Sequence, residues 1–432
     1  LGQGTAIKKK AASDRRPAAA ADAARSGPSS AWIVGPWPDA TLIIASPLIV
    51  VALLTVARSV WSAAVVSGLV MTWAIGHHLP GMMRAYGDPA LFRRFRVRFV
   101  VAPLLLMAAC TFAFMTGVNS GLLAVAAIWG WWHYLMQTYG FCRIYDAKVG
   151  SFAATTRWLD QAMCLAWFAA AVVLNDNTLY GFVEHFNNSG MPIPAPRFFE
   201  ILRSVIGGAT AAVTGLFLVN LFRRWQLGER PNPIKLAVMV STFACFWYSA
   251  ATVTNIVVAY AFFELFHDAQ YLTIVWAFNR RRVEKDPELK GFTRWLFQPR
   301  LIFVGLYIAM IVGYGSLKWG STYVTADRLQ RVLTALFLTS TLLHYYFDGF
   351  IWKLRDANTQ ASLGLAARAA ARSTWRMPVA LRHAFLWSLF VVPFGYLSVA
   401  QVNNAIVMDQ LGDGERFARR LAESQQLARA LP

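Results

Sequence analysis

The stretch Leu301-Ile302-Phe303-Val304-Gly305-Leu306-Tyr307-Ile308-Ala309-Met310-Ile311-Val312-Gly313-Tyr314-Gly315-Ser316-Leu317 lies between Arg300 and Lys318 and contains no charged side chain. A helix rising about 1.5 Å per residue needs roughly 20 apolar residues to cross about 30 Å of hydrocarbon. The same reading applies to blocks at 40–57, 59–79, 98–117, 120–141, 157–175, 199–222, 234–252, 253–278, 300–316, 329–352 and 381–402. The pattern predicts an all-α fold, a polytopic transmembrane helical bundle of about eleven spans. Residues 1–36 are read as a disordered basic tail without the apolar core of a cleavable signal peptide. Residues 37–402 are read as the transmembrane domain, and 403–432 as a short extracytoplasmic amphipathic segment.

The cations between the blocks alternate in density. One set of connections holds Lys8–Lys10, Arg84 with Arg93–Arg98, Arg143 with Lys148 and Arg157, Arg223 to Lys235, Arg280–Arg282, and Lys353 to Arg376. The other set is nearly free of them: Arg58, Gly117–Gly121, Asn175–Arg197, Thr252–Asn255 and Gly315–Arg328. Under the positive-inside rule this places the N-terminus in the cytoplasm and the C-terminus outside. The formal charge of +19 is therefore assigned to cationic loops at anionic headgroups, and no nucleic-acid partner is expected. Cys110, Cys142, Cys164 and Cys245 lack metal-ligand spacing and read as small buried hydrophobes.

Against this apolar background several polar groups stand out. His77-His78 closes the second block, and the fourth carries His133 with Gln137. The eighth carries Glu264, His267, Asp268, Gln270 and Tyr271, and the tenth carries His344 with Asp348. An ionisable side chain inside a span costs about 2.5–3.5 kcal/mol on the lenient scale, so the three carboxylates demand compensation. His133/Gln137, Glu264/Asp268 and His344/Asp348 are spaced i, i+4, and Glu264/His267 i, i+3, so each pair shares a helix face. All four blocks run from outside to inside. The first cation follows 6 residues after His78, 10 after His133, 13 after His267 and 9 after His344, which brings the imidazoles to one level on the cytoplasmic side.

The expected site is thus a metal centre with ligands among His77, His78, His133, Glu264, His267, Asp268, His344 and Asp348. Gln137, Gln270 and Tyr271 are expected to orient those ligands. Mixed imidazole and carboxylate ligation suits iron, one or two ions, and is compatible with zinc or manganese. His185 and His383 are read as ordinary histidines. Four other readings remain open: a packing network with Asp348 paired to Lys353 or Arg355, haem ligation, an acyltransferase using one buried His as base, and an ion-coupled transporter. Aromatic residues near these positions, among them Trp129, Trp132, Tyr134, Phe262 and Tyr345, suit a pocket for an apolar substrate.

In its histidine-bearing spans the chain resembles in kind the integral-membrane histidine-cluster iron enzymes: fatty-acid desaturases and hydroxylases, and the bacterial carotene-cleaving Brp/Blh type. Its spacing differs, since His77-His78, His133, Glu264-x-x-His267-Asp268 and His344-x-x-x-Asp348 stand where desaturases carry H-x-x-x-H and H-x-x-H-H boxes. The blocks His133–Tyr145, Phe266–Tyr271 and His344–Trp352 also look like those of uncharacterised bacterial multi-pass membrane proteins, a likeness that implies no activity. The resemblance implies an iron-dependent oxygenase, hydroxylase or desaturase of lipid metabolism in a bacterial inner membrane. Its partners would be membrane lipids, an apolar lipid or isoprenoid substrate and a separate electron-donor protein, since the chain has no nucleotide fingerprint.

Overall fold

The computed structural model describes residues 31–229, 231–253, 256–286, 289–352, 357–363, 365 and 378–430. It is 86% helix without a strand among the described residues. A turn at Pro36–Pro38 and a π-helical turn Asp39–Ile44 lead into α1 (Ser46–Val60). There follow α2 (Ala63–Gly76), α3 (His78–Gly87), α4 (Pro89–Thr116) and α5 (Ser120–Lys148). Next come α6 (Ala154–Val173), α7 (Asp176–Asn188), α8 (Pro196–Gln226), α9 (Pro233–Thr252) and α10 (Ile256–Lys285). The short helix Phe292–Leu296 leads to α11 (Leu301–Ser321) and α12 (Asp327–Ile351). After the short helix Ala357–Ser362, α13 (Val379–Gln410) and α14 (Asp413–Ala430) complete the chain.

Five helices are long and apolar enough to cross a membrane: α4, α8, α9, α11 and α13 from Leu381. Two bent pairs also qualify together, Pro36–Ile44 with α1 at 53° and α6 with α7 at 83°, giving five to seven candidate spans. The expected spans outside this set are the second, fourth, eighth and tenth, carried by α2, α5, α10 and α12. These are the helices that bear the histidines. α2 is cut to 14 residues by a break at His77, and the other three have their apolar runs interrupted by the polar residues themselves.

The break at His77 has a local cause. Pro80 has no N–H to donate to the Gly76 carbonyl four residues earlier, which removes one of the bonds that would carry the helix past His77. α2 stops at Gly76, whereas the sequence reading carries the span to 79. Small residues hold this end of α2 in place. A Cβ on Gly76 would lie 2.6 Å from the Ile311 carbonyl oxygen, and one on Gly315 would collide with the Thr72 carbonyl. α2 and α11 thus approach backbone to backbone, the contact that small residues permit between helices in lipid.

α2, α3, α5, α10 and α12 form the middle of the bundle, with α10 and α12 each touching α2 and α5. Around them α1 packs on α10, α11 on α2, α4 on α12, and α13 on α5, while α6 and α9 pack on α5.

Several expected connections differ in the structure. The loop after the second span is helical through α3 and the first turns of α4, started by Asp88, whose Oδ1 accepts the N–H groups of Ala90 and Leu91 at 3.1 Å. The expected Asn175–Arg197 loop contains α7. It closes the end of α9 through Thr178 Oγ1, which donates to the Ala250 carbonyl at 3.2 Å. Residues 31–36, counted with the tail in the sequence reading, fold back under the bundle. Ile33 is buried, and the Asp39 carboxylate accepts the N–H groups of Ile33, Val34 and Gly35 and the Tyr145 hydroxyl. The C-terminal segment forms α14, which packs Leu427 and Ala430 against Leu179, Ile193 and Phe199.

Among the expected loop cations, Lys148 and Lys235 are buried and Arg143 nearly so. Arg143 and Lys235 join Asp146 and Asp160 in a buried ionic quartet, with contacts from 2.7 to 3.2 Å. Their charges are satisfied inside the protein, so they add little to the cation count of their connections. Residues 1–30, the junction 254–255, and Lys353, Arg355 and the cations to Arg376 lie outside the described residues.

Candidate metal centre

The break between α2 and α3 presents two consecutive imidazoles to the middle of the bundle. His77 Nε2 faces His344 Nε2 at 3.0 Å. The His77 ring lies 4.5 Å from His78, 4.4 Å from His344 and 5.2 Å from His267, centroid to centroid. His133 lies 4.8 Å from His267 and 4.7 Å from His344. Five histidines from the α2/α3 break, α5, α10 and α12, up to 267 residues apart in the chain, thus form one cluster, and His77 and His267 have no exposed surface.

The carboxylates join them. On one side of His77, Nδ1 lies 2.8 Å from Asp268 Oδ1 and 3.7 Å from Glu264 Oε1. On the other side of the cluster, Asp348 Oδ2 is 3.8 Å from His344 Nε2 and 4.0 Å from His133 Nε2. All eight expected ligands therefore converge.

The supporting contacts are specific. His78 Nδ1 is hydrogen-bonded to Ser340 Oγ at 3.1 Å, and Ser340 Oγ to the Tyr314 hydroxyl at 2.9 Å. Glu264 accepts a hydrogen bond from the Tyr134 hydroxyl. Asp348 Oδ1 accepts from the Tyr271 hydroxyl at 3.2 Å and from Trp352 Nε1 at 3.1 Å. Gly81 leaves room for this group, because a Cβ there would sit 2.9 Å from the Tyr271 oxygen and 3.6 Å from both Asp348 Oδ1 and His344 Nδ1.

After these bonds are made, a set of buried polar atoms is left without a hydrogen-bond partner. It comprises His77 Nδ1, His78 Nε2, His133 Nε2, both ring nitrogens of His267, His344 Nδ1 and both Asp268 oxygens. The His77–Asp268 approach is close in distance but misaligned, so it satisfies neither group. Buried polar groups are normally hydrogen-bonded, and each unsatisfied one costs about 1–3 kcal/mol. Such a concentration in one place is what a ligand set for a cation looks like. Among the described residues, three groups bring ligand atoms within 4.8 Å of one another and could hold a metal ion: His77/His267/His344, His77/His78/Glu264 and His133/His344/Asp348. The donor atoms do not fix which metal.

Of the expected orienting residues, Tyr271 does contact a candidate ligand. The two glutamines reach no ligand side chain. Gln137 Nε2 donates at 3.1 Å to the His267 carbonyl and to Gln270 Oε1, while Gln270 Nε2 donates to the Ile43 carbonyl at 2.9 Å. They tie α5, α10 and the turn before α1 together rather than gripping an imidazole. Asp348 is held by Tyr271 and Trp352; the expected partners Lys353 and Arg355 lie outside the described residues.

Sequence reasoning missed Ser340 and Tyr314. Ser340 stands four residues before His344 on the same face, a usable signal, whereas Tyr314 sits in an otherwise apolar span and gives none. His383 is satisfied locally, accepting from Tyr346 and Trp387 at 3.2 and 3.1 Å, and neither it nor His185 is in a candidate ligand group. All four cysteines are free and buried, and none belongs to these groups. No protein family, curated protein or solved structure matches the chain.

Proposed function

We propose that this chain is a membrane metalloenzyme whose centre is ligated by the imidazoles and carboxylates of α2/α3, α5, α10 and α12. The observation that carries the reading is the cluster of orphaned buried nitrogens on His78, His133, His267 and His344 beside Glu264, Asp268 and Asp348. A packing network would have paired these atoms with one another. A haem would need an open planar slot, whereas the rings here pack against each other at 4.4 to 6.2 Å.

In the proposed topology the seven candidate spans and the four site helices together make eleven. The N-terminus is cytoplasmic and the C-terminus outside, on the strength of the cations at Arg93–Arg98, Arg223–Arg224 and Arg280–Arg282. The membrane is a bacterial inner membrane.

Iron is the metal proposed, because nitrogen and oxygen donors without thiolate accommodate a non-haem iron centre. The reaction class is oxygenation, hydroxylation or desaturation of a lipid or isoprenoid, with electrons from a separate donor protein. Iron so held would supply dioxygen binding and activation. The chain's own residues do the rest. Ser340 holds His78 so that Nε2 faces inward, while Tyr271 and Trp352 fix the Asp348 carboxylate. The Tyr134 hydroxyl donates a hydrogen bond to Glu264 and holds it in place, and the aromatic walls of Tyr260, Tyr345 and Trp131 exclude water.

The test is to supply purified, iron-loaded protein with a chemical reductant, ¹⁸O₂ and membrane lipid extract, and to follow products by mass spectrometry. The reading expects an iron-dependent product that either carries ¹⁸O or has lost two hydrogens, and that is absent with His267→Ala. Turnover that is equal without iron or dioxygen would refute it.

A further inference from the structure

We infer that Arg84 anchors the acid head of the substrate, so that the molecule brought to the centre is an amphiphile carrying one carboxylate. This inference rests on the reading above for the apolar remainder of the substrate and names its polar end.

Arg84 projects from α3 into the corner between two rings. Its Cζ lies 4.2 Å from the Phe278 centroid and 4.0 Å from the Trp352 centroid, and those rings stand at 88° to each other. Trp352 also touches the candidate centre: its Nε1 donates to Asp348 Oδ1 at 3.1 Å and to the Tyr271 hydroxyl oxygen at 3.3 Å. One indole thus separates the guanidinium from a candidate metal ligand.

The charge of Arg84 is only partly answered. Nη2 donates to the Ile351 carbonyl at 3.0 Å, at the C-terminal end of α12. A helix end carries about half a negative charge, and the two aromatic faces add cation–π attraction. Nε and Nη1 are buried and have no hydrogen-bond partner. Among the described residues no carboxylate pairs with Arg84. Asp88 pairs instead with Arg282 at 2.8 Å and accepts the first N–H groups of α4. Asp348 Oδ1 is taken by Tyr271 and Trp352. One further buried donor without a partner, the Tyr307 hydroxyl, belongs to the apolar cluster that Tyr271 and Trp352 line.

A guanidinium that served only to cap α12 would need one nitrogen. Arg84 keeps two in reserve, closed off from water, where a bond to an anion is strongest. Part of its surface remains exposed, which leaves a way in. Because Asp88 neutralises Arg282, the excess at Arg84 is a single positive charge. That matches a carboxylate and falls short of a phosphate dianion. The few convergent polar groups of an otherwise apolar site are what fix a ligand's orientation.

The experiment uses the chelator-stripped full chain in phosphatidylcholine nanodiscs, so that no carboxylate binds through a metal ion. Binding of ¹⁴C-laurate, corrected for empty discs, is competed with unlabelled laurate, dodecanol and dodecyl phosphate. Dodecanol is expected to compete at least about tenfold more weakly than laurate, and Arg84→Gln to bind laurate at least about tenfold more weakly than wild type, as loss of a charge-assisted hydrogen bond predicts. A smaller difference in either comparison would overturn the acid anchor. Dodecyl phosphate is expected to compete less well than laurate; equal or better competition would overturn the carboxylate as the head. Should Arg84→Gln not elute as a folded monodisperse species, the wild-type preference for laurate over dodecanol decides alone. Metal content of the untreated protein is measured in parallel. Metal without acid preference would overturn the anchor and leave the metal centre standing, whereas acid preference without metal would do the reverse.

Discussion

Lys235 is the residue whose loss the structure predicts most sharply. Its ammonium lies 3.1 Å from Asp146 Oδ2 and 3.0 and 3.2 Å from the two oxygens of Asp160. Arg143 completes the quartet at 2.7 and 3.0 Å. Lys235 and Asp146 are 1% exposed and Asp160 is fully buried, so bulk screening of these charges is weak. At an effective dielectric of about 20, each contact near 3 Å gives on the order of 5 kcal/mol of attraction, much of which only offsets desolvation. Lys235→Met removes two attractions and leaves two carboxylates against one guanidinium. Breaking a buried pair from one side costs about 3–5 kcal/mol.

Cys142 and Cys164 provide the assay. Both are free and buried, next to Arg143 and one turn from Asp160. Their modification by a maleimide in detergent, under conditions where reclosing is fast, reports the open fraction. A loss of about 3 kcal/mol speeds modification on the order of 100-fold. The double variant Lys235→Met with Asp160→Asn leaves Arg143 and Asp146 as a neutral pair. It is expected to react at least about tenfold more slowly than Lys235→Met alone. A single variant within threefold of wild type would refute the reasoning, as would a double variant at least as reactive as the single.

Gly76→Val forces a branched side chain against the Ile311 carbonyl, 2.6 Å from where its Cβ must lie. It is expected to lower both thermal stability and metal content, checked by melting in detergent and elemental analysis. Ser340→Ala releases His78 Nδ1 while leaving the fold intact. Metal affinity is expected to fall about 10- to 100-fold, measured by competition with a chromogenic chelator, while the metal-free variant and wild type melt within a few degrees of each other. Asp39→Ala removes the acceptor for three N–H groups and the Tyr145 hydroxyl. Hydrogen exchange at residues 33–35 is expected to rise while exchange in α10 and α12 stays slow. Chelator treatment of the wild type is expected to lower its melting temperature, by an amount that depends on the metal concentration restored.

The sequence made the helical class and the polar cluster legible for one physical reason. Lipid tolerates long apolar helices and penalises ionisable groups, so both the spans and the exceptions to them stand out. His133, His267 and His344 were readable because each interrupts an otherwise apolar run. The quartet was not legible. Arg143 and Lys235 sit at helix ends, where a sequence reader assigns cations to water, and only the packing of α5, α6 and α9 shows them meeting Asp146 and Asp160. The two-residue presentation of His77 and His78 depends on the helix break set by Pro80. The apolar block at 59–79 gave no sign of that interruption. The partners of Gln137 and Gln270, the His267 and Ile43 carbonyls and each other, were not legible, because i, i+4 spacing marks a shared face and not what lies across from it.

X-ray absorption at the metal edge of the purified protein tests the central claim most directly. The account predicts a first shell of nitrogen and oxygen at about 2.0–2.2 Å, with the outer-shell scattering of several imidazoles and no sulfur, diminished in His133→Ala and His267→Ala. A protein without stoichiometric metal, or a shell free of imidazole scattering, would contradict it.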